Sequence, residues 1–120
     1  MANGPVLVVD CYNANPASTE AALRSLAQLP GGRKLALLGL MAELGPDTES
    51  EHQRTAQLAE ELGIEVVGYQ TPLYGPRSVS SADDAVAVLL ELGPGDAALV
   101  KGSRVARLED VVQRHSEAVA

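Results

Sequence analysis

The chain has no phenylalanine and no tryptophan, and Tyr12, Tyr69 and Tyr74 are its only aromatic residues. A core without large rings must be assembled from Leu, Val, Ile and Ala, the ordinary filling of a parallel sheet faced by helices. Cys11 is the single cysteine, which excludes an internal disulfide. His52 and His115 lie far apart, so no Cys/His spacing of a structural zinc site exists and no metal is expected on this chain. Basic residues are scarce, and the formal net charge is −7. A nucleic-acid footprint needs clustered Lys and Arg, so nucleic acid is excluded as a partner. No apolar run approaches the roughly 20 residues of a membrane-spanning helix, and no signal peptide is visible. The expectation is a cytoplasmic monomer with no membrane insertion.

Phosphate-binding loops are missing as well. There is no G-x-x-x-x-G-K-S/T segment to cradle a triphosphate, and no G-x-G-x-x-G follows the first strand-like run. No Ser/His/Asp or Cys/His set is placed for nucleophilic catalysis, and Cys11 has no second catalytic group beside it.

What is present is a regular alternation of strand-like and helix-like segments. At 120 residues the chain makes one domain, long enough to bury about two thirds of its unfolded surface. Residues 1–5 read as a domain boundary and 6–120 as the domain itself. Val6-Leu7-Val8-Val9 is an unbroken apolar run, the pattern of a strand covered on both faces. Asn15 and Pro16 supply an N-cap and a first helical residue for a helix over 16–28, with Ala22, Leu26 and Leu29 on one face. Pro30-Gly31-Gly32 ends it before a strand over 34–38. Thr48 and Glu51 are spaced as a capping box for a helix over 49–62, striped by Thr55, Leu58, Ala59 and Leu62. Gly63 stops that helix ahead of a strand over 64–67. Residues 68–79 read as a loop with a short strand near Ser78 and Val79. Ser81 caps a helix to about 92, and Gly93-Pro94-Gly95 precedes a strand over 97–100. A last helix over 104–115 turns Leu108, Val111 and Val112 inward.

This order predicts right-handed βαβ units: an α/β, Rossmann-like, mostly parallel sheet with helices on both faces, in a single domain. The helix-to-strand links are short and bland. Asp10, Tyr12, Asn13, Asn15, Glu43, Lys101, Ser103 and Arg104 all fall on strand-to-helix links, the side where open α/β sheets bind ligands. Asp10 suits ribose hydroxyls or an ammonium, while Asn13 and Asn15 offer donors and acceptors, Asn15 doubling as a helix cap. Tyr12 suits stacking or packing. Lys101-Gly102-Ser103-Arg104 brings two cations and a capping hydroxyl to a helix start, a setting for a carboxylate or phosphate, with Lys101 taken as an exposed rim residue. Ser103 as a simple cap is the plainer alternative. Glu43 and His52 need no ligand to be explained and are read as holding the loop between them by hydrogen bonding.

Three stretches also carry a resemblance. Asp10-Cys11-Tyr12-Asn13-Ala14-Asn15-Pro16, then Leu38-Gly39-Leu40-Met41-Ala42-Glu43-Leu44-Gly45 with His52, then Val100-Lys101-Gly102-Ser103-Arg104, resemble in order the motifs of the Mur ligase C-terminal domain. The likeness is to the branch that adds D-alanyl-D-alanine to UDP-N-acetylmuramoyl-tripeptide in bacterial peptidoglycan synthesis. It implies a bacterial cytoplasmic ligase in which ATP activates a carboxylate as an acyl phosphate and an amine attacks it. ATP and magnesium would be held mainly by a central domain, with an N-terminal domain beyond it, so this chain alone would be inactive. Residue by residue, the resemblance gives Asp10 and Asn13 to the nucleotide. It gives Tyr12, Asn15, Lys101, Ser103 and Arg104 to the dipeptide side, with the nucleotide the alternative for Tyr12 and its phosphates the alternative for Lys101, Ser103 and Arg104, and Asn15 also ordering the loop. Two positions depart from the family pattern: Leu40 stands where an acidic residue is usual, and Val9 where a second acidic residue often precedes Asp10.

A second reading, from another class, is a flavodoxin-like phosphoacceptor receiver. Length, alternation, Asp10 after the first strand and Lys101 after the last all suit it. Its third strand does not, because Val66-Val67-Gly68-Tyr69-Gln70 offers no aspartate.

Overall fold

The computed structural model describes residues 4–11, 14–102 and 107–119. Across them run β1 (Val6–Asp10), α1 (Pro16–Gln28), β2 (Lys34–Gly39), α2 (Thr48–Glu61), β3 (Glu65–Tyr69), β4 (Ser78–Val79), α3 (Ala82–Leu89), β5 (Ala97–Lys101) and α4 (Leu108–Val119). Every strand pairing is parallel, in the order β1-β5-β2-β3-β4. The α/β sheet expected from the alternation is therefore the sheet that forms. Because all strands run one way, Asp10, Gly39, Tyr69, Val79 and Lys101 end on a common rim.

Alternation along the central strands divides the core in two. Leu35, Leu37, Ala98 and Val100 face Ala85, Leu89, Leu108 and Val111 of α3 and α4. Ala36, Leu38, Ala97 and Leu99 face Leu23 and Leu26 of α1 and Ala59 of α2. Each fully buried leucine contributes roughly 1.5–3 kcal/mol, which is how a core without Phe or Trp suffices.

The structure corrects the reading of β1 as a strand covered on both faces. It lies at the sheet edge, with Val6, Val8 and Val9 exposed at 58%, 38% and 47%. An apolar run records β-propensity but not a strand's place in the order, and that place belongs to the whole topology. The same order removes the receiver reading, since flavodoxin-like sheets run 2-1-3-4-5 with the first strand inside.

Element ends shifted too. Thr48 is not a capping residue but the first residue of α2, and its hydroxyl donates to the Gly45 carbonyl at 2.7 Å. The reciprocal capping box sits at α1 instead. Asn15 Oδ1 accepts the Ser18 N–H at 2.9 Å, and Ser18 Oγ accepts the Asn15 N–H at 3.3 Å. Ser81 caps α3 as expected, accepting the Asp84 N–H at 3.1 Å, but that helix stops at Leu89. α4 is described over Leu108–Val119, and the start expected near 104 lies outside the described residues.

The amino-terminal rim is tied together by its own charges. Asp96 accepts the backbone N–H of Arg33 at 2.8 Å and of Gly93 at 2.9 Å, linking the two helix-to-strand turns. Gly31, at φ +104°, approaches so closely that a Cβ there would lie 2.5 Å from the Gly95 carbonyl oxygen. Arg33 grips Glu65 through two 2.9 Å hydrogen bonds, and Arg77 reaches Glu91 at 2.8 Å. These guanidinium groups hold both carboxyls below the usual glutamate range.

Candidate functional site

Adjacent parallel strands β1 and β5 bring two distant motifs together. Their register sets Asp10 opposite Lys101, and the Gly102 N–H continues the ladder to the Asp10 carbonyl at 3.1 Å. Alternation puts Lys101 on the same face as Ala97 and Leu99, toward α1 and α2. Lys101 Nζ donates to Asp10 Oδ2 at 2.5 Å. The lysine side chain is 1% exposed, whereas the aspartate side chain is 42% exposed. Lys101 is thus an interior cation rather than an exposed rim lysine, which corrects the sequence reading. Spacing after a strand fixes the rim but not which way a long side chain turns, and here a carboxylate one strand away draws it inward.

The loop after β2 is held from two sides. The Met41 N–H donates to His52 Nε2 at 2.9 Å, and His52 Nδ1 lies 2.6 Å from the Thr48 carbonyl oxygen. That pair fixes the tautomer: Nδ1 carries the proton and Nε2 accepts. Tyr74 donates its hydroxyl to the Gly39 carbonyl at 2.8 Å, and its ring lies 4.8 Å from that of His52. Burial pushes the Tyr74 hydroxyl well above the usual tyrosine range, so it stays a donor. Met41 and His52 are fully buried, while Leu40 between the two anchors is 42% exposed. The loop therefore presents an apolar side chain at the rim. Glu43 is exposed at φ +63° and makes no side-chain hydrogen bond or ion pair among the described residues, so its expected part in holding the loop is not found. Sequence reasoning missed Tyr74, which lies in a stretch with no periodicity to announce it.

Of the other residues expected here, Asn15 closes the cap of α1. Tyr12, Asn13, Ser103 and Arg104 lie outside the described residues. Cys11 is buried, and burial with the nearby Glu109 and Asp10 carboxylates pushes its thiol up to about 11, which removes it as a nucleophile. Glu109, in the first turn of α4, keeps one buried carboxylate oxygen without a hydrogen-bond partner among the described residues. Two open grooves lie off this rim. One of about 580 Å³ lies between α2 and the 72–75 loop, and one of about 600 Å³ between α1 and α2.

Comparison with known proteins matches residues 1–104 to the family model described as Mur ligase, glutamate ligase domain. UDP-N-acetylmuramoyl-tripeptide–D-alanyl-D-alanine ligase of Mycobacterium leprae is 35% identical, over 85% of this chain and 26% of its own. The ligase of the same name from Escherichia coli is 35% identical over 98% of this chain and 28% of its own. The chain thus spans about a quarter of these relatives' length. Among solved structures, MurF ligase from Thermotoga maritima in complex with ADP shares the fold, with a TM-score of 0.78 at 24% identity. It covers 100% of this chain and 30% of that one. MurF from Acinetobacter baumannii superposes with a TM-score of 0.77 at 27% identity, over 90% of this chain and 26% of its own.

Proposed function

The chain belongs to the Mur ligase family as a C-terminal domain, and from that premise we propose that it serves an ATP-dependent ligase in bacterial peptidoglycan synthesis. The ligase joins D-alanyl-D-alanine to UDP-N-acetylmuramoyl-tripeptide, the activity named for relatives 35% identical to this chain. The observation that carries the reading is the meeting of two motifs, at Asp10 and Lys101, on adjacent strand ends of one rim.

On this reading the rim closes over a site whose ATP and magnesium are held mainly by the central domain. Asp10, half-exposed, accepts from ribose hydroxyls, and Asn13 contacts the nucleotide. Tyr12, Ser103 and Arg104 face the dipeptide, Arg104 meeting its carboxylate. Asn15 acts through the cap it closes at the head of α1. Lys101, being interior, works through Asp10 rather than on a substrate anion. His52 and Tyr74 hold the 39–48 loop in shape, so that Leu40 meets the ligand or the central domain. The N-terminal and central domains are the macromolecular partners, the protein is a monomer, and the reaction takes place in the cytoplasm. No described helix is long and apolar enough to cross a membrane.

The test is turnover with ATP, magnesium, D-alanyl-D-alanine and the UDP-linked tripeptide. The chain alone should release no ADP. Placed as the third domain behind the first two domains of the Escherichia coli relative, it should support amide formation. Turnover by the chain alone, abolished by Asp10→Ala, would overturn the proposal, as would a folded but inactive hybrid.

A further inference from the structure

Lys101 is the least expected side chain in the molecule, a cation 1% exposed at the carboxyl end of a central strand. Buried lysines are tolerated when paired, and this one spends its charge on a carboxylate of the neighbouring strand. The pair is lopsided, since Asp10 keeps 42% of its side chain in solvent while the ammonium has almost none. Register makes the geometry repeatable, because Asp10 and Lys101 are direct partners in the ladder and the Gly102 N–H locks the backbone beyond them. An ammonium so placed presents almost no surface to a ligand outside the domain. It holds one oxygen of that carboxylate, Oδ2, and so restrains the rotation of the whole group.

We infer that Lys101 is a positioning residue: its buried ammonium orients the Asp10 carboxylate to accept ribose hydroxyls, and so gives the domain its preference for a ribonucleotide. The inference rests on the reading of Asp10 as the ribose contact and adds the residue through which that contact is set. A hydroxyl-to-carboxylate bond repays its formation only if the acceptor is already aimed, because an exposed aspartate otherwise samples several rotamers. That role also accounts for a lysine inside a domain that has ample room on its surface for one.

The experiment compares ADP with 2′,3′-dideoxy-ADP on the purified chain, by amide chemical-shift titration at millimolar nucleotide. The wild-type chain should prefer ADP about tenfold, the worth of one charge-assisted hydrogen bond. Lys101→Met should bind the dideoxy analogue as the wild type does and lose the preference to within about twofold, with Lys101→Arg, which keeps a cation, retaining part of it. If Lys101→Met does not fold, Lys101→Gln gives the same comparison with a neutral donor in place. A merely structural lysine would weaken both nucleotides alike or neither, and a preference kept in the Met or Gln variant overturns the inference. A wild-type chain that binds both equally, or neither, overturns instead the reading of Asp10 as the ribose contact. The two failures are distinct.

Discussion

The Met41 N–H donates to His52 Nε2 at 2.9 Å, so a side chain of α2 fixes a backbone position 11 residues earlier. With Tyr74 on the Gly39 carbonyl, it makes the loop after β2 part of the rigid frame rather than an appendage.

His52→Ala should therefore be costly. It leaves the Met41 N–H buried without its acceptor, removes the contact with Tyr74 and opens a cavity. The expected loss is about 2–4 kcal/mol, read as a lower urea midpoint, with faster hydrogen exchange at residues 40–47. An unchanged midpoint would mean that the loop is held by something other than the imidazole.

The Asp10–Lys101 pair should respond unequally to loss of each partner. Asp10→Ala takes the carboxylate away from a buried ammonium and should cost about 2–4 kcal/mol. Lys101→Met replaces the cation with an apolar chain of similar length and leaves behind a carboxylate that is already half-exposed, so it should cost less than about 2 kcal/mol. Thermal melts of both variants decide it, and a larger loss for Lys101→Met would contradict the burial described for the pair.

His115 sets an acid limb of stability. Its Nε2 is buried without a hydrogen-bond partner among the described residues, and burial depresses its pKa below the ordinary 6.5. The unfolded chain therefore takes up a proton first as pH falls, and binding more protons in the unfolded state lowers stability. Stability should be complete above pH 7 and decline as pH drops through about 6.5 toward the folded value. Glu65, Glu91 and Asp96, also depressed, act only below their ordinary values near 4. His115→Leu should flatten the decline between pH 7 and 5 and leave the steeper loss below. A decline of unchanged slope would assign that limb to other groups.

The α/β class and the common rim were legible because both follow from local signals, namely apolar runs, glycine and proline breaks, and the side on which polar residues collect. Asn15 and Pro16 announced α1 correctly, since capping chemistry is written within four residues. β1 at the edge was not legible, because strand order depends on which helices cross over the sheet and leaves no mark in Val6-Leu7-Val8-Val9. Nor was the inward turn of Lys101, which requires knowing that β5 lies beside β1, 91 residues apart at the pair. Tyr74 illustrates the same limit: it bonds a backbone group of a loop that its own neighbours in sequence do not reveal. Local chemistry gave the elements, and long-range pairing gave the site its geometry.

The central claim is that this domain meets nucleotide at the carboxyl rim, weakly and without a phosphate loop of its own. The most direct measurement is an amide chemical-shift map of the wild-type chain titrated with ADP. The account predicts a dissociation constant of ~1 mM, equivalent to about 4 kcal/mol, with shifts concentrated at Asp10, Cys11, Gly39–Met41 and Lys101–Gly102. Micromolar affinity, or shifts gathered instead around Arg33, Glu65 and Asp96 at the opposite rim, would contradict it.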